Sequence, residues 1–105
     1  MSYANAIYQW EEGERRLAAA APAERGTLDR VVGRVVDDLR RRLGGTFTAE
    51  ELSDLYYAGG TDWCLDIALS EAPDEPYAWD TALIADAAFA RYVREAADWA
   101  GGRRR

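Results

Sequence analysis

Seven apolar residues, Leu28, Val31, Val32, Val35, Val36, Leu39 and Leu43, recur at offsets of 0, 3, 4, 7, 8, 11 and 15, a spacing that no β-strand can bring to one face. A strand alternates faces at every residue, whereas a 3.6-residue turn stacks this set into one stripe. The spacing predicts a long amphipathic helix. Four of the seven are valines, which lose side-chain freedom in a helix, so the stripe must be held by packing against other elements rather than by propensity. Pro22 suits the first turn, where a missing N–H costs nothing, and Gly44-Gly45 supplies the stop. Arg40 to Arg42 complement the negative end of the helix dipole. Outside the stripe, Arg34/Asp38, Asp37/Arg41 and Asp38/Arg42 are placed to pair one turn apart.

The remaining chain reads as four more helices. Ser2 caps a first one reaching about Ala20, with Tyr3, Ala6, Ile7, Trp10 and Leu17 on one face and Glu14 inside that stripe. Thr48-Ala49-Glu50-Glu51 reads as a capping box, with Phe47 placed to staple onto Leu52. The short third helix this starts turns Leu52, Leu55 and Tyr56 inward and leaves Glu50, Asp54 and Tyr57 outward. After Gly59-Gly60, Thr61 or Asp62 caps a fourth helix through about Ser70, apolar nearly all round and therefore expected at the centre. Glu71 to Pro76 is loop. A fifth helix is expected from about Tyr77 to Trp99, with Ala82, Ala85, Phe89, Tyr92, Val93 and Ala96 inward and Asp86 among them.

No strand-like alternation, internal repeat or sustained heptad accompanies these signals. The expected fold is therefore all-α, a compact single-domain bundle of about five helices over residues 1–100 with a flexible basic tail at 101–105. Residues 47–69 form a helix-turn-helix-like hairpin within it. With 49% hydrophobic residues against 30% charged, the 105-residue chain lies outside the disordered range.

What is missing narrows the chemistry. There is no histidine, and all 13 basic residues are arginine, so histidine-based catalysis, histidine metal ligands, lysine Schiff bases and Walker-type phosphate loops are excluded. Cys64 is the single cysteine, which allows neither an internal disulfide nor a cysteine metal cluster. No cofactor is expected. The N-terminal residues show no basic start followed by an apolar run, and no apolar stretch approaches the roughly 20 residues of a membrane span, so a cytoplasmic location without membrane insertion is expected.

Charge gives the functional expectation. Residues 1–47 carry a net charge of +1, whereas Thr48 to Asp98 hold 12 acids and 2 arginines, a net of −10. Such a field repels phosphate, and the second helix of the hairpin offers Asp62 and Asp66 but no arginine, which disfavours nucleic acid. It steers a basic protein partner instead. Glu71, Asp74, Glu75 and Asp80 around Tyr77 and Trp79 are the residue types for that contact, rings giving desolvated area and acids giving charge-assisted hydrogen bonds. The alternative for these six is that the rings enter the core and the acids cap the fifth helix. Glu14 and Asp86, on faces that otherwise look buried, are each expected to meet an arginine or to reach solvent at a stripe edge. Cys64 is expected to be a buried small apolar residue.

The sequence thus points to a small non-enzymatic interaction or regulatory protein, monomer or homodimer, that engages a basic partner surface through its acidic C-terminal half. The competing reading is a transcription-associated module whose helix-turn-helix-like segment contacts nucleic acid. An enzyme using Glu14, Asp86 or Cys64 ranks last.

Overall fold

The computed structural model describes residues 3–44, 47–71 and 81–103, with side chains described over 5–44, 47–59, 62–70 and 82–96. Five α-helices follow one another: α1 (Tyr3–Ala18), α2 (Pro22–Leu43), α3 (Ala49–Tyr57), α4 (Gly60–Glu71) and α5 (Thr81–Arg103). No strand occurs among the described residues, so the all-α bundle expected from the periodicity is the fold.

The stripe on α2 behaves as its spacing requires, with Leu28, Val31, Val32, Val35, Val36 and Leu39 buried and Leu43 packed at the margin of the core. Gly44 ends the helix at φ +74, a left-handed conformation that a side chain would strain, and its N–H returns to Arg40 O at 2.7 Å. The Tyr92 hydroxyl donates to the Gly44 carbonyl at 2.8 Å, which ties the end of α2 to α5. At the other end of the α1–α2 turn, Arg25 Nη1 donates to the Ala18 carbonyl at 3.2 Å and satisfies one of the unpaired acceptors of α1.

The capping box of α3 is present in both directions. Glu51 N donates to Thr48 Oγ1 at 3.1 Å, and Thr48 N donates to Glu51 Oε1 at 2.9 Å. Phe47 lies against Tyr92 of α5, ring centroids 5.3 Å apart, so the residue before the cap anchors α3 to the core. The start of α4 differs from expectation. Gly59 at φ +120 makes the turn by itself, and α4 begins at Gly60, which places Thr61 and Asp62 inside the first turn instead of at the cap.

The central helix is also not the one expected. Among the described side chains of α4 only Cys64 and Ala68 are buried, Trp63 and Ile67 pack at the core's edge, and Leu69 is 50% exposed. The helix surrounded by others is α5, in which every residue from Leu83 to Ala90 is buried, against α1, α2 and α4. Alanines at 85, 87, 88 and 90 let neighbours approach it from several sides, and a run of alanine carries less hydropathy than the leucine and tryptophan of α4. The described part of α5 runs from Thr81 through Gly101-Gly102 to Arg103, past the expected end near Trp99, and the expected start at Tyr77 lies outside the described residues.

Phe89 gathers the aromatic core around α5. Its ring lies 5.1 Å from Trp10 of α1, 5.3 Å from Tyr56 of α3 and 6.4 Å from Trp63 of α4, the last two edge-on as aromatic quadrupoles prefer. Closest of all is the approach of α1, where a Cβ built on Gly13 would collide with Asp86 Cβ and the Ala87 backbone.

Gly13→Ala is therefore expected to destabilise the fold by about 2 kcal/mol despite alanine's better helix propensity, because two backbones must separate. Gly26→Ala in α2, where an added Cβ meets nothing within 4 Å, is expected to stabilise by about 0.5–1 kcal/mol. Urea denaturation of the two variants gives opposite shifts in midpoint.

Candidate functional site

Of the six residues that the sequence nominates for partner contact, Glu71 is the last residue of α4, with its side chain outside the described residues, and Asp74, Glu75, Tyr77, Trp79 and Asp80 lie outside them altogether. The described part of the acidic half that leads into that stretch is the α3–α4 hairpin.

Its exposed faces repeat one pattern. Glu50, Asp54 and Tyr57 lie at i, i+4 and i+7 on α3, and Asp62, Asp66 and Leu69 take the same spacing on α4. All six are exposed, with Tyr57 and Leu69 the large apolar members. Each helix thus shows solvent two carboxylates one turn apart, followed by an apolar side chain. Among the described residues none of Glu50, Asp54, Asp62 and Asp66 forms an ion pair. Tyr57 follows the expected outward direction, whereas Leu69 was expected inward; its exposure comes from α4 being peripheral.

Several acids on α1 and α2 have arginine partners. Glu12 meets Arg15 at 2.5 Å, Asp29 meets Arg91 of α5 at 2.6 Å, and Glu14 is bonded to Arg94 across the α1–α5 boundary. Glu14 thus fulfils the expectation of an arginine at a helix–helix margin. Asp38 is the most connected: Arg41 reaches it at 3.0 Å, Arg42 at 3.1 Å and the Trp63 indole N–H of α4 at 2.8 Å, with the Arg42 guanidinium 4.5 Å over the Trp63 ring. Arg41 therefore pairs with Asp38 rather than with Asp37 as the i+4 spacing suggested. Partial burial alone would raise the Asp38 pKa; the hydrogen bonds from Arg41, Arg42 and Trp63 outweigh it and hold the carboxyl below the usual range.

Asp86 is the one carboxylate buried among the described residues, 4% exposed. It does not reach solvent at a stripe edge. Its Oδ1 accepts the Tyr56 hydroxyl at 2.5 Å, and Gln9 Nε2 donates to the same hydroxyl at 3.0 Å, so α1, α3 and α5 share one polar chain. Burial, and then the hydrogen bond to Asp86, push the Tyr56 phenol well above its ordinary value. Cys64 is fully buried, and burial followed by the Asp86 charge pushes its thiol up to about 12. A protonated, enclosed thiol and a phenol that keeps its proton are poor nucleophiles at neutral pH. Among the described residues no group of three His, Cys, Asp or Glu could hold a metal ion, and no helix is long and apolar enough to cross a membrane.

No protein-family model, no curated protein and no solved structure matches the chain.

Two predictions follow from these polar groups. Tyr56→Phe removes a donor from a buried carboxylate and is expected to cost about 2 kcal/mol in chemical denaturation, as for hydrogen bonds to charged groups. The Asp38 carboxyl titrates below its unfolded value of about 3.9. Its contribution to stability is therefore complete above that pH and is lost as pH falls through the lower folded value. Asp38→Asn should flatten this acid limb in urea midpoints measured from about pH 5 downward.

Proposed function

We propose that the protein is a small non-enzymatic interaction protein that docks on a basic protein surface through the α3–α4 hairpin and the acidic stretch that follows it. The observation carrying this reading is the pair of acid, acid, apolar stripes, Glu50-Asp54-Tyr57 and Asp62-Asp66-Leu69, all exposed, whose acids have no cation partner among the described residues.

Glu50 and Asp62 lie in the first turns of α3 and α4, where a carboxylate complements the helix dipole, whereas Asp54 and Asp66, one turn further on, have no such role and repel them by about 0.2–0.5 kcal/mol. A face serving only solubility would mix signs, as the arginine-paired acids on α1 and α2 do. Four carboxylates with no ion pair among the described residues, on two adjoining helices, instead sum to a directed negative field, which raises the encounter rate with a positive surface. Tyr57 and Leu69 supply apolar area that charge alone lacks for slow dissociation. Glu71, Asp74, Glu75 and Asp80 would extend the field, with Tyr77 and Trp79 as further anchors. Although the hairpin has the outline of a helix-turn-helix, its second helix shows solvent Asp62 and Asp66 and offers no base-edge or phosphate donor from arginine, so duplex DNA is not the ligand this surface fits.

The test compares affinity capture from native-host lysate by the wild type and by an Asp62→Arg/Asp66→Arg variant, with the captured partner then measured by stopped flow. The expected partner is basic at its contact surface. The double reversal should slow association at least about tenfold and flatten its salt dependence. Asp74→Arg/Glu75→Arg should act in the same direction, and Trp79→Ala should speed dissociation. A partner bound equally well by both reversal variants, or a duplex mobility shift by the wild type, overturns the reading.

A further inference from the structure

No further inference is drawn: the strongest candidate, the groove of about 540 Å³ between α1 and α5 that reaches the buried Asp86 carboxylate past Gly13, is lined also by Arg16 and by a Glu12 already paired with Arg15, so its charge selects no one ligand class and nothing in the structure shows what covers it.

Discussion

The close approach of α1 to α5 at Gly13 is the constraint on which the other helices depend. Without a side chain at that position, the α1 backbone rests on Asp86 and Ala87, and only at that distance do Trp10 and Phe89 meet and Gln9 reach the Tyr56 hydroxyl. Those contacts in turn hold α3 in place, since Tyr56 is the residue through which α3 joins both the aromatic cluster and the buried carboxylate. A helix as short as α3 has little stability of its own. It is kept by a capping box at one end and this polar and aromatic junction at the other.

Charge is distributed by a related logic. Where helices abut, acids and arginines are matched across or along them: Glu14 with Arg94, Asp29 with Arg91, Asp38 with Arg41, Arg42 and the indole of Trp63. Exposed pairs of this kind contribute at most about 1 kcal/mol each, and their value lies in fixing which face meets which. The hairpin lies outside this matching, which is why it presents a single sign. The protein's net charge of −6 is therefore concentrated on one feature instead of being spread over the surface.

Much of this was legible from local pattern. The α2 stripe and the Thr48–Glu51 box each lie within a few turns of chain, and both appear as their spacing requires. The outward placement of Glu50, Asp54 and Tyr57 was readable for the same reason. The central place of α5 was not, because alanine signals close packing only when the neighbours are known. A helix start at Thr61 or Asp62 was the reasonable reading of good capping residues, and it lost to a turn made by Gly59 alone. Tyr56 and Asp86 are 30 residues apart, and no periodicity couples positions so distant. Leu69 was misplaced together with its helix, so half of the apolar component of the hairpin surface emerged only from the fold.

Cys64 adds a property unrelated to binding. It is the chain's single thiol, fully enclosed and held protonated, on the helix that lies between the acidic hairpin surface and the central α5. A thiol reagent can reach it only when α4 lifts away or the whole domain opens. The rate of native-state labelling therefore measures how often the hairpin detaches from its support, and the protein carries in its own sequence a clock for the breathing of that surface.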